Sequence, residues 1–188
     1  MKNSPLQLDS IRYSDVVVRA VPGINLNEVT EALPVQVESA IFYNSEAEHY
    51  AVVTVSQKDE AFPYLLEVSA FTMFTIDVAG CREAYKQQFN PSVIGVNVAR
   101  MIYSSVRDMI ASITARAPYE VAKIPTLMIE PKDISINFAS GEEEAILRTS
   151  FGITDEQLVH LRQIKAEQKV AENAKPKKSS PKKSSKAG

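Results

Sequence analysis

The sequence predicts an α+β fold in which a four-stranded antiparallel sheet packs with a short helix and a long one. Three observations carry that expectation. Between residues 6 and 76, four runs of alternating or β-branched apolar residues are separated by polar or proline–glycine breaks. From Asn90 to Ala117 the apolar spacing changes from two to three and four, enough for roughly six turns of one amphipathic helix. Pro118 then ends the helix, and Pro125 and Pro131 keep the next stretch extended.

Each element has its own signal. LQLDSIRYSDVVVRAV (6–21) alternates only in part, and Val16, Val17 and Val18 thicken its apolar content; it reads as a strand that bends or bulges midway, broken by Pro22 and Gly23. LPVQVESAIFY (33–43) alternates through Val35 and Val37 and then, after a slip, through Ala40 and Phe42. NSEAE turns the chain into HYAVVTVSQ (49–57), and KDEAF connects that strand to YLLEVSAFTMFTI (64–76). GCREAYKQQF (80–89) is the expected short helix. Asn90, Pro91 and Ser92 join capping-type side chains to a first-turn proline and start the long helix. Its apolar stripe is Ile94, Val98, Met101, Ile102, Val106, Met109, Ile110 and Ile113; Arg100, Ser104, Arg107, Asp108 and Ser112 fall largely elsewhere. Beyond Gly141 the chain becomes charged. Thr154 and Gln157 have capping-box spacing, and Leu158, Leu161 and Ile164 form a weak stripe for one more helix.

Composition narrows the function. A chain of 188 residues can hold one domain with a sizeable core and extensions beyond it. Residues 175–188 contain six lysines and no acid, so a net charge of −2 hides a body, 1–174, of net −8. MKNSPLQLDSIRY has no apolar signal region, and no run is long enough to span a bilayer. The single Cys81 cannot form an intrachain disulfide, so a reducing, cytoplasmic setting is expected.

Catalytic motifs are missing. There is no phosphate loop, dinucleotide fingerprint or nucleophile elbow, and Cys81 has no CxxC partner for zinc. His49 and His160 lie far apart, and His49, at a strand end, is expected to be solvated. Glu142, Glu143 and Glu144 read as a solvated loop. The chain therefore reads as a non-enzyme without cofactor or metal. Its acidic body and lack of an aromatic platform with interleaved basic residues weigh against nucleic acid as a partner.

The order of elements, together with particular residues, resembles the SecB family of export chaperones. LQLDSIRYSDVVVRAVPG is similar to that family's first strand, with an acidic residue a few positions after the apolar start. YLLEVSAFTMFTI is similar to a later strand, in which Leu-x-Glu-Val leads into apolar residues. NPSVIGVNVARMIYSSVRDMIASITARAPYEVAKIPTLMI is similar to the long helix and its sequel, in its Asn-Pro start, Ala-Arg pair and terminating proline. The resemblance covers 1–138 as a chaperone domain, chiefly 6–138; it leaves 139–174 as a charged, helical extension and 175–188 as a disordered tail.

That resemblance implies an ATP-independent holdase: a homotetramer, built as a dimer of dimers, that binds unfolded or slowly folding polypeptides in hydrophobic grooves. It implies client-binding residues among Phe42, Tyr43, Tyr64, Phe71, Phe74 and Phe89, with Met73 and Met128 as adaptable neighbours. For any one of them core is the better expectation; for the set, two or more should face a client. Asp15, Leu65 and Glu67 match positions where such chaperones dock the SecA motor, but Arg19 stands at another position that is acidic in the family. Reversing that charge weighs against standard docking and toward a specialised client, such as the antitoxin served by some family members.

Overall fold

Period-two alternation lays down the strands, and the register reveals which face each side chain takes. The computed structural model describes residues 4–25, 32–46, 48–86, 89–159 and 162. The chain divides into two units, Met1–Gly152 and Ile153–Gly188. In the first, the strands are β1 (Leu6–Leu8), β2 (Arg12–Ala20), β3 (Gln36–Tyr43), β4 (His49–Gln57), β5 (Tyr64–Ile76) and β6 (Ile134–Phe138). The helices are α1 (Val78–Tyr85), α2 (Pro91–Thr114) and α3 (Glu143–Phe151).

The sheet is larger than the sequence suggested and is not purely antiparallel. Among the described residues it has six strands in the order β1-β5-β4-β3-β6, with β2 also paired to β5. Two of the six are halves of the expected first strand. β1 and β2 both run antiparallel to β5, separated by a bend at Asp9–Ile11, and the ladder shifts between Tyr13 and Asp15 with Ser14 as the extra residue. The addition is β6, which pairs parallel to β3 from Ser39↔Ile134 to Tyr43↔Phe138. ISINF alternates cleanly, but five residues after a proline carry a weak signal, and a parallel partner leaves no hairpin turn to betray it.

No slip occurs in β3. Its register with β4 is continuous from Gln36↔Ser56 to Phe42↔Tyr50. The alternation looked displaced because both faces are apolar near the end of the strand: Ile41 and Tyr43 are buried while Phe42 lies on the opposite face.

α2 covers one face. Asn90 caps it, its side chain accepting a hydrogen bond from the Val93 N–H at 3.0 Å, and Pro91 occupies the first turn. Ile94, Val98, Ile102, Val106 and Ile110 are wholly buried. Each such side chain contributes about 1.5–3 kcal/mol on burial. Met101 departs from the expected stripe and is exposed, because it lies one residue ahead of Ile102 on the helix surface. Gly95 lies close against the sheet: a Cβ there would stand 2.9 Å from Ile134 Cδ1 and 3.1 Å from Ile41 Cγ1.

The proline-containing stretch after α2 runs back along that helix and is held by side chains through its carbonyls. Tyr64 donates to Glu120 O at 3.0 Å, Tyr103 to Pro125 O at 2.7 Å, and Arg100 to Ile129 O at 2.7 Å. Ala122 N–H donates to Thr114 Oγ1 at 3.0 Å. A segment without regular structure is thus fixed to the helix by bonds to several of its backbone groups.

In the second unit, residues 155–159 are helical. The expected capping box forms: Thr154 N–H donates to Gln157 Oε1 at 3.0 Å, and Gln157 N–H to Thr154 Oγ1 at 3.4 Å. Leu161, Ile164 and the lysine tail lie outside the described residues.

Candidate functional site

The sheet places the sequence candidates on two different faces. Along β5 the even-numbered residues from Tyr64 to Phe74 are buried toward α2, and the odd ones point outward. Tyr43, Tyr64 and Phe74 therefore belong to the core, each about 1% exposed. Phe42, Phe71 and Met73 lie on the outer face.

The buried trio is tied in by rings and hydroxyls. The Tyr43 ring lies 6.0 Å from Phe74, 5.6 Å from Phe138 and 5.1 Å from Phe151, and its hydroxyl donates to Pro91 O at 2.7 Å. Burial pushes the phenols of Tyr43 and Tyr64 up, so both stay neutral donors. Phe89, half-buried just before α2, lies 5.4 Å from Phe151.

His49 joins the same cluster and is buried, contrary to the solvated position expected of a strand-end histidine. Its alternation partners Ala51, Val53 and Val55 face the core, and so must it. The ring lies 5.1 Å from Tyr43 and 5.2 Å from Phe74, and Nδ1 accepts from Asn44 N–H at 3.3 Å. Burial pulls its pKa down to about 4.

On the outer face an aromatic and methionine band crosses three strands. Met73, Tyr50 and Phe42 are successive register partners across β5, β4 and β3. Phe42 stacks on Tyr50 with centroids 4.3 Å apart and planes 7° from parallel. The next row is Phe71, Val52 and Ala40. Met73 is 43% exposed and Tyr50 41%. Met128, on the segment after α2, is separate from this band and 78% exposed, with Leu127 and Val121 also exposed along that segment. Tyr50 was not among the sequence candidates, although HYAVVTV alternation places it opposite the buried His49 and Ala51.

Further along the outer face the chemistry changes. Thr54 and Ser69 hydrogen-bond across β4 and β5 at 2.8 Å. Asp15, Val17 and Arg19 of β2 lie opposite Ser69, Glu67 and Leu65 of β5, so the residues read from the sequence as a docking patch share one surface with Arg19. Glu67 is paired with Lys58 at 3.1 Å in an exposed contact, which contributes about 0–1 kcal/mol.

Among the described residues no cluster of His, Cys, Asp or Glu is positioned to hold a metal ion. Cys81 is buried, and burial, with Asp77 nearby, pushes its thiol up to about 11, so it is a poor nucleophile. Among the described residues no helix is long and apolar enough to cross a membrane.

No protein-family model matches the chain. No curated protein matches it. Among solved structures it is similar to a SecB-like chaperone of Mycobacterium tuberculosis in complex with a peptide from an antitoxin. The two share 12% sequence identity, the match covers 67% of this chain and 89% of that one, and the TM-score is 0.43.

Proposed function

We propose that this protein is an ATP-independent holdase, binding unfolded or slowly folding polypeptides on exposed apolar surface. The observation that carries the reading is the outer-face band of Phe42, Tyr50, Phe71 and Met73 on a rigid sheet. Flat aromatic rings and a flexible thioether bury varied side chains without demanding one sequence. Such a patch has no use in the folding of the protomer, whose core lies on the other face. Tyr43, Tyr64 and Phe74 back this surface from the core. Phe89 and Met128 lie apart from this surface and would make separate contacts.

The working form is a homotetramer, a dimer of dimers, in the cytoplasm, as the sequence resemblance implies. Asp15, Leu65 and Glu67 remain the candidate surface for a motor or handover partner. Arg19, between Asp15 and the end of β2 and opposite Leu65, favours a second form of the same reading, in which the chaperone serves one dedicated client instead of general export.

The test is aggregation of a chemically unfolded model protein, followed by light scattering, with the chaperone's mass measured by multi-angle scattering. Suppression at near-stoichiometric amounts by a tetramer is expected. The double variant Phe71→Ser with Met73→Ser should keep its unfolding midpoint and lose most of the suppression. Equal suppression by that variant would remove the outer band from the site. No suppression by the well-folded natural sequence would end the holdase reading.

A further inference from the structure

We propose that the outer edge of β3 is a docking edge for an extended polypeptide strand, and that β6 is a built-in strand that yields it. This rests on the holdase reading and adds where a client's backbone is held.

The pairing registers point there. β3 has eight residues, and all from Gln36 to Phe42 pair with β4 on one side. On the other side β6 pairs only with Ser39 to Tyr43. Among the described residues no strand pairs with that side of Gln36, Val37 or Glu38. The open edge runs into a cleft of about 470 Å³ that Val37, Glu38 and Lys132 help to line. At the junction, Ser39 is 6% exposed and its hydroxyl has no hydrogen-bond partner. That hydroxyl shares the core face of β3 with Ile41 and Tyr43, and a buried hydroxyl without a partner is costly.

β6 is suited to give way. It is the one parallel strand among the described residues, it bonds on one side only, and it is five residues long. An antiparallel client spanning the whole edge would make a ladder over eight residues in place of five, in the slightly more stable arrangement. Short joints flank the strand. Before it comes the 3-10 turn Pro131–Asp133; after it comes Gly141, whose φ of +79° is a turn conformation that glycine adopts without strain. Arg100 anchors the chain ahead of these joints through Ile129 O, and Phe151 of α3 anchors it beyond them against Tyr43. Peeling β6 away would uncover Ile41, 0% exposed in the closed form, and the face of Tyr43 on which Phe138 is stacked. Tyr43 would then meet a client directly. Strand addition of this kind draws affinity from main-chain bonds and so tolerates varied sequences.

Two measurements test this on the full chain. Hydrogen exchange of the natural sequence should find the β6 amides opening on the order of 100-fold more readily than those of β4, through a sub-global event. Equal protection of β6 and β4 would overturn the proposal whether or not any client binds. The second measurement is a reversible lock. Ala40 and Ser135 are register partners, so Ala40→Cys with Ser135→Cys can cross-link the two strands. The probe is a reduced, alkylated and fluorescently labelled model polypeptide that stays unfolded in buffer. The oxidised lock should weaken its binding by about tenfold or more, and reduction should restore it. Equal binding by the oxidised and reduced forms overturns the docking edge and leaves the holdase reading intact. Failure of the natural sequence itself to bind the probe overturns both. A change in assembly mass on oxidation would assign the edge to a second copy of the chain and overturn a client as its occupant.

Discussion

His49 makes a stability prediction whose sign and size follow from its cage. The imidazole is 1% exposed between Tyr43 and Phe74, and burial lowers its pKa from 6.5 to about 4. In the unfolded chain it titrates near 6.5. Above that value both states hold it neutral, and its contribution to stability is fully present. As the pH falls through 6.5 the unfolded chain takes up a proton that the folded protein refuses, so stability drops by about 1.4 kcal/mol per pH unit until the folded group titrates as well. The total is about 3 kcal/mol between pH 7 and pH 4, a large share of a small domain's stability. His49→Phe keeps an aromatic ring in the cage and removes the proton site. It leaves the Asn44 N–H without its acceptor, which costs about 1 kcal/mol at neutral pH. Urea unfolding at several pH values compares the two proteins directly, and groups common to both cancel in the comparison. The natural sequence should lose about 3 kcal/mol more than the variant over that range. Parallel pH profiles would refute the argument and place the imidazole in water.

Two further predictions concern α2 and the segment it holds. Gly95→Ala forces a Cβ against Ile134 and Ile41, so it should destabilise by about 1–3 kcal/mol despite the better helix propensity of alanine; a raised melting temperature would mean that the helix can retreat from the sheet. Tyr103→Phe removes the bond to Pro125 O and leaves that carbonyl unpaired, at a cost of about 1–2 kcal/mol, and limited proteolysis should move to residues 115–130. Unchanged cleavage sites would show that the tyrosine ring alone positions the segment.

Alternation and capping made most of this fold legible. The bend in the first strand, β4 and β5, the Asn90 cap and the Thr154–Gln157 box all rest on interactions between residues near in sequence, and each could be read from its own stretch. β6 could not, because its register depends on a strand some 95 residues earlier, and nothing in ISINF names that partner. The same limit applies to the aromatic candidates. YLLEVSAFTMFTI contains both faces of one strand, so Tyr64 and Phe74 look no different from Phe71 and Met73 until the side that α2 covers is known. Parity then sorts them at once.

The hydroxyl also sorts the tyrosines, and it does so by physical necessity. Tyr43, Tyr64 and Tyr103 each lie in the core and each donates to a carbonyl: Tyr43 to Pro91 in the first turn of α2, Tyr64 and Tyr103 to Glu120 and Pro125 in the irregular segment after it. A buried phenol must find an acceptor; the irregular segment supplies carbonyls outside any ladder, and the Pro91 carbonyl keeps a second lone pair beside its helical bond. Tyr50, with no such acceptor needed, stacks its ring on Phe42 at the surface. The two edges of the sheet differ by a similar logic. β2 carries Arg12, Asp15 and Arg19 and a bulge at Ser14, the devices that discourage indiscriminate pairing along an exposed strand. β6 carries no charge, only Ser135 and Asn137 on its exposed positions, and protects β3 by covering part of it. An edge guarded by charge is closed to most strands permanently, whereas an edge guarded by a short parallel strand is closed only until a longer antiparallel one competes. That contrast is the reason to look for a client's backbone at β3 and not at β2.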